Sequence, residues 1–505
     1  MDSASSHQEL LHEIFGSVLD RTEMTPYLLL RSADYPSALR QATKMLGNRG
    51  FDTGGSDELD PREKARALRY LAQAHRYCSR FLLPAVSGHI ERLLTLESPS
   101  RDRYANCAAG IKAIQGTLDD ADFQEMIFED PRHLFLMASA RKYPRVFHGY
   151  RGAATAVPPA WQQTACSLLK AAHLIKSIEE ESQDVNDCAQ LGLFLQSRGR
   201  DLHDLYAFPW EKPQPLPDSE GAQRAFVKLS TFFLKLRESL DYDVTKGVLV
   251  FHSGDGVDVD VVRIASRLKS PESMFTKLGK NAEGEAYDIR DMLAITFIIK
   301  TRDDTLKLFH ALQKRGVILQ ENTISRSITQ TLFQNPASME EAVRALMTSI
   351  SQSEGAHRVP AAAEVRAQAR TFYDSLSINT AENPHSSHGH RKFQCKINFF
   401  VPVHRVAGTN EILIPGTPRH AARQRIDTRT EQHTLALELR ITDEQSWNAS
   451  EHSGDSHHEA YTNRQLVSVM NRLFKDRFLL PEAVFKQLRQ DQARLYSSAE
   501  HPGRS

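Results

Sequence analysis

The chain has 505 residues, and its 63 Lys plus Arg balance 63 Asp plus Glu, giving a formal charge of zero and a pI near 7.4. That length predicts two or three domains, and the charge balance argues against a bulk nucleic-acid or membrane-surface binder, which normally carries a basic excess. Five scattered cysteines (Cys78, Cys107, Cys166, Cys188 and Cys395) lack metal-ligand spacing and fit a reducing compartment better than a disulfide framework. The start, MDSASSHQELLHEIFG, has no basic-then-apolar leader. No run of about 18 apolar residues follows, so a cytoplasmic, non-membrane protein is expected.

In chain order, the polar, Gly-rich residues 48–60 predict a loop. The stretch REKARALRYLAQAHRYCSRFLLPAVSGHIERLL then repeats apolar residues at three and four. It reads as one long helix, or as two broken near Pro84. YANCAAGIKAIQGTL, DPRHLFLMAS and TACSLLKAAHLIKSIEE continue the helical pattern, so residues 1–208 are expected to form a mostly α-helical domain. His75, His173 and His203 lack spaced partner ligands and read as ordinary helix or loop residues. PWEKPQPLPDSEG, residues 209–221, holds four prolines and predicts a linker.

Beyond the linker, AFVKLSTFFLKLRESL predicts an amphipathic helix. KGVLVFH, LAITFIIK, KFQCKINFFVPV, EILIP and TLALELRIT then read as strands, rich in β-branched and aromatic residues. The helices TLKLFHALQKRG and SMEEAVRALMTSIS lie between them, so residues 222–480 are expected as an α/β domain with a mixed sheet. LVSVMNRLFKDRFLLPEAVFKQLRQDQARLYSS predicts one or two closing helices, with 481–505 the helix end and tail.

The segment RLKSPESMFTKL, 267–278, has the pattern of a basic strand, a turn and a helix start. Ser270 suits the N-cap and Pro271 the first helical position. Arg267 and Lys269, two apart, point the same way in an extended piece, and Ser273 and Lys277 share a helix face. Cationic arms and a hydroxyl beside a helix N-terminus can hold a phosphate chain, or form a solvated helix start. Asp288 and Asp291 precede the apolar run LAITFIIK, as carboxylates for a divalent cation or as caps of the preceding loop. Asp258 and Asp260 alternate in GDGVDVDVV. In TLALELRIT, Thr434, Ala436, Glu438 and Arg440 share the face opposite Leu435, Leu437, Leu439 and Ile441, as a surface or a cleft wall. Trp447 and His452 follow, five apart.

Together these segments resemble the synthetase domain of the RelA/SpoT family of guanosine tetra- and pentaphosphate synthetases, over roughly residues 240–460. The family's R-I-K-S-x-x-S-x-x-x-K segment is matched at Arg267, Lys269, Ser270, Ser273 and Lys277. Its strand opening D-L-x-G-I-R is matched at Asp291, with Thr296 in place of the arginine. Its G-Y-x-x-x-H turn keeps Gly389 but has His390 for the guanine-stacking tyrosine and Gln394 for the histidine. Its last strand, E-x-Q-x-R-T, keeps Arg440 and the spacing to Trp447 and His452, while Ala436 replaces the glutamate and Glu438 the glutamine.

The resemblance implies a nucleotidyltransferase-like domain with a mixed five-stranded sheet. It implies ATP bound by Arg267, Lys269, Ser273 and Lys277, an acceptor base near His390, and Mg²⁺ held by Asp291 and Glu438. Asp291, Glu438 and Arg440 would be the catalytic residues. The implied reaction moves pyrophosphate from ATP to the 3′-hydroxyl of GDP, GTP or another nucleotide. Two functions are therefore expected: a divergent nucleotide pyrophosphokinase, or a nucleotide-binding or interaction module whose catalytic site has decayed. Nucleotides are the expected partners, and a homo-oligomer is compatible with either. His203–Asp204 alone does not assign the hydrolase that precedes the synthetase in long family members.

Overall fold

The computed structural model describes residues 60–142, 158–211, 215–280, 289–324, 328–356, 358–376, 391–414, 427–452, 458–475 and 477–497. They group into two compact units. The described residues of 1–180, 275–284 and 463–495 form a helical unit, and those of 181–274, 285–462 and 496–505 a sheet unit. The division falls before the Pro-rich segment because the helix Gln183–Ser197 packs against the helix Glu220–Arg237 of the sheet unit.

In the helical unit, the Asp60 carboxylate accepts from the backbone N–H groups of Arg62 and Glu63 and opens the helix Pro61–Arg76. The turn at Tyr77–Leu82 is a π-helix, and the helix Leu83–Leu94 continues from it. Neither an unbroken α-helix nor a break near Pro84 occurs. A proline ring strikes the carbonyl four residues back, and the widened turn absorbs that conflict, with the Leu83 N–H reaching Cys78 O. One buried cluster, including Tyr70, Ile90, Tyr104, Phe123, Leu168, Val469 and Phe478, forms the core. The closing segment is two helices, His458–Leu473 and Glu482–Ser497. Asn463 and Gln492, on these two helices, contact the two ring nitrogens of buried His89.

The sheet unit is built on seven strands: β1 (Leu240–Asp243), β2 (Val248–Phe251), β3 (Val259–Leu268), β4 (Leu293–Ile299), β5 (Thr329–Gln330), β6 (Phe393–Val406) and β7 (Thr428–Asp443). Their order is β1-β2-β3-β4-β7-β6-β5, antiparallel except where β4 runs parallel to β7. A mostly helical N-terminal region thus precedes a mixed-sheet domain of general α+β architecture, as expected, but the sheet has seven strands rather than five. EILIP is not a strand: Ile412 makes only an isolated bridge to Arg405. Of β3, only Arg267 and Leu268 fall in the segment read as a basic strand; Asp260, Arg263, Ser266 and Arg267 break up the apolar residues of VDVVRIASRL. Every residue of β4 is buried, as a central strand's continuous apolar run requires.

Helices cover one side of the sheet. Phe232 of Glu220–Arg237 sits edge-on to Phe399, and Phe309 of the helix Thr305–Lys314 packs on Phe393, both odd-numbered β6 positions. Along the even positions, Lys396 and Asn398 are half-buried and Phe400, Pro402 and His404 are exposed. From Phe400 onward that side of β6 is open to solvent, while its registered neighbours Ala294, Thr296, Ala436 and Glu438 are buried.

At the Pro-rich segment, Trp210 is buried among Phe208, Phe226 and Phe233, and its Nε1 donates to Leu205 O at 2.9 Å. Arg224 on the following helix forms a two-pronged ion pair with Asp187 at 2.8 Å, and Lys228 pairs with Asp184. No helix among the described residues is long and apolar enough to cross a membrane.

Candidate functional site

Ser270 caps its helix as its sequence position predicts. The Ser273 N–H donates to Ser270 Oγ at 3.2 Å, and the helix runs Pro271–Lys280. Just before the cap, the Lys269 N–H donates to Met292 O, which ties the end of β3 to the entrance of β4. That tie brings Lys269 beside Asp291: Nζ donates to Oδ2 at 2.7 Å and to the Asp291 carbonyl at 3.3 Å. The pair is well enclosed, with the Lys269 residue only 6% exposed.

Strand register assembles the rest. Arg267 pairs with Ala294, Ala294 with Glu438, and Glu438 with Lys396, forming one row across β3, β4, β7 and β6. The adjacent row runs Ala265, Thr296, Arg440, Gln394. Registered partners share a face of the pleat, so Arg267, Glu438, Lys396 and Arg440 project from the side that β6 leaves open. Three interstrand spacings make the row from Arg267 to Lys396 about 14 Å long. Arg440 donates through Nε and Nη2 to Glu438 Oε2, at 3.1 and 2.5 Å. Lys392, next to β6, and Tyr461, on the helix His458–Leu473, act electrostatically on the same groups.

Several charged groups meet in this cluster. Arg267, Lys269, Lys392, Lys396 and Arg440 face two carboxylates, Asp291 and Glu438. Burial alone would raise the Glu438 pKa, but Arg440 and Lys392 outweigh it and hold the carboxyl down to about 2. Burial and the Arg440 charge push Lys392 down to about 7 and also lower Arg267. The Arg440 guanidinium moves up: burial works against its charge, and Glu438 more than compensates.

Asp291 and Glu438, expected to hold Mg²⁺, do not fit a divalent cation in this arrangement. Each carboxylate is committed to a basic partner, Lys269 or Arg440. Among the described residues no group of three or more His, Cys, Asp or Glu could hold a metal ion. Ala436, at the family's glutamate position, offers no oxygen and pairs with Asn398.

The register and the ion pairs bring Arg267, Lys269, Asp291, Glu438 and Arg440 into one neighbourhood. Ser273 is hydrogen-bonded into the cap, its hydroxyl accepting from Ser270 Oγ at 3.1 Å. Lys277 lies in the turn that groups with the helical unit. Asp258 and Asp260 belong elsewhere: Asp258 pairs with His252 and Asp260 with Lys246. Trp447 lies on the helix Glu444–His452, which follows β7. Asp288, Gly389, His390 and the His452 side chain lie outside the described residues.

Sequence reasoning missed Lys392, Lys396 and Tyr461. The alternation K-x-Q-x-K-x-N in KFQCKIN carried the signal for the first two. It put Lys396 in phase with the polar face of a strand whose neighbour holds Glu438. Compared with protein-family models, with curated proteins and with solved structures, the chain matches none.

Proposed function

We propose that the sheet unit is a nucleotide-binding module that grips a polyphosphate chain without a metal ion. In this reading it is a nucleotidyltransferase-like domain, akin to the RelA/SpoT synthetases, that keeps the basic half of the cleft and has lost the acidic half. One observation carries the proposal: both candidate metal ligands are ion-paired, with Lys269 and Arg440, and Arg267, Lys392 and Lys396 act electrostatically on the same carboxylates. A phosphate chain laid along the Arg267–Lys396 row would meet these cations through charge-assisted hydrogen bonds. Magnesium-dependent transfer needs carboxylates open to the ion and in-line geometry at the acceptor. Asp291 and Glu438, each tied to a cation, are poorly arranged for that.

The test is calorimetric titration of the full chain with inorganic tripolyphosphate and with ATP, in EDTA. Saturable binding is expected, weakened about tenfold or more by Lys396→Ala, since a hydrogen bond to a charged group contributes about 1.5–3 kcal/mol. In parallel, ATP with Mg²⁺ and GDP or GTP should give no pyrophosphorylated product by mass spectrometry. A product that depends on Mg²⁺ and disappears in Asp291→Asn would overturn the proposal in favour of a pyrophosphokinase. Absence of any polyphosphate binding would sink both readings.

A further inference from the structure

The open face of β6 continues past the basic row. Its even positions run Lys396, Asn398, Phe400, and the β6–β7 register is unbroken through them. Phe399 and Val401 are buried on the helix-covered side, so Phe400 stands on the other, 43% exposed. A single exposed phenylalanine is ordinary on a protein surface. This one lies in line with the cation row and on the same face. Four residues of strand separate it from Lys396, about 13 Å. That reach is comparable with the distance from base to outer phosphates in an extended nucleoside triphosphate. Between them, half-buried Asn398 offers donors and an acceptor at the level of a sugar, opposite the small Ala436.

We propose that Phe400 is the stacking platform for the base of a single nucleotide whose phosphates occupy the Arg267–Lys396 row. This inference rests on the nucleotide-binding reading above and adds the side chain that holds the base. Stacking on an exposed ring is tolerant of base identity, because every base has a π-face. A single strand of nucleic acid would need successive rings along its path. Of the three phenylalanines in β6, Phe393 and Phe399 are turned to the helices, so Phe400 is the one phenylalanine on this face of the strand, and the exposed His404 ring beyond it is hydrogen-bonded to Thr430.

Phe400→Ala and Phe400→Trp test this by calorimetry and fluorescence with ATP, GTP, inorganic tripolyphosphate and a short single-stranded oligoribonucleotide. Phe400→Ala should weaken ATP and GTP by about 5- to 100-fold while leaving tripolyphosphate unchanged. Phe400→Trp should restore nucleotide affinity, and its fluorescence should be quenched by nucleotides and not by tripolyphosphate. The side chain is exposed, and circular dichroism will verify that both variants fold. If tripolyphosphate binds the wild type as tightly as ATP and Phe400→Ala changes neither, the platform is refuted and the phosphate site stands. If tripolyphosphate does not bind at all, the underlying reading fails as well. An oligoribonucleotide that binds more tightly than ATP and is lost in Phe400→Ala would overturn the single-nucleotide assignment.

Discussion

Lys392 sits close to Arg440 and Lys396, where burial and the neighbouring charge bring its pKa to about 7. An anion bound there favours the charged ammonium, so binding above neutral pH takes up a proton, and affinity falls as pH rises through 7. Titrations at about pH 8 in buffers of different ionisation enthalpy should show uptake approaching one proton, and Lys392→Met should abolish it. His89 makes the opposite kind of statement about stability. Burial, with the Arg92 and Arg464 charges, holds its pKa at about 3 against an ordinary 6.5. Between those values the unfolded chain binds a proton that the folded chain does not, so stability is lost as pH falls. Denaturant melts should show roughly 2 kcal/mol lost from this group between about pH 6.5 and 4.5. His89→Gln, less stable at neutral pH, should show a flatter acid profile.

At the scale of elements, two substitutions separate local propensity from packing. Gly110 lies inside the helix Arg101–Leu118, where alanine would ordinarily gain about 1 kcal/mol. A Cβ at this position would overlap the backbone carbonyl of Arg477, so Gly110→Ala should destabilise the chain in chemical denaturation. Trp210 fills the space between Phe208, Phe226 and Phe233, and Trp210→Ala should lower the unfolding free energy by about 3–5 kcal/mol. The Pro-rich composition around Trp210 suggested a linker, because proline count reports backbone stiffness and is blind to one indole buried beside it. The strands were legible wherever apolar residues ran together, as in β4. Most of β3 escaped because polar residues break up its apolar run, and EILIP misled because β-branched residues fit an extended loop as well as a ladder. The Ser270–Pro271 helix start was readable in full, since a cap depends only on residues within one turn.

For the whole molecule, zero net charge conceals a local cluster in which, among the described residues, Arg267, Lys269, Lys392, Lys396 and Arg440 gather around Asp291 and Glu438. In EDTA, tripolyphosphate at about 100 times its dissociation constant should add about 2.7 kcal/mol to stability. The resulting rise in melting temperature should shrink as salt is raised, and Mg²⁺ should not enlarge it. Such a cluster is invisible to composition, because Lys269 and Asp291 are distant in sequence and meet only when β3 ties to the entrance of β4. The sequence by itself determined the mostly helical N-terminal region, the mixed-sheet domain and the charged residue types of the candidate site, because periodicity, capping and strand patterning are local. Tertiary structure alone decided which charges face one another. Strand register placed Glu438 in line with Arg267 and Lys396, and Arg440 in the adjacent row where it pairs with Glu438. The cap-proximal contact gave Asp291 to Lys269, so that each of the two candidate metal ligands sits in an ion pair.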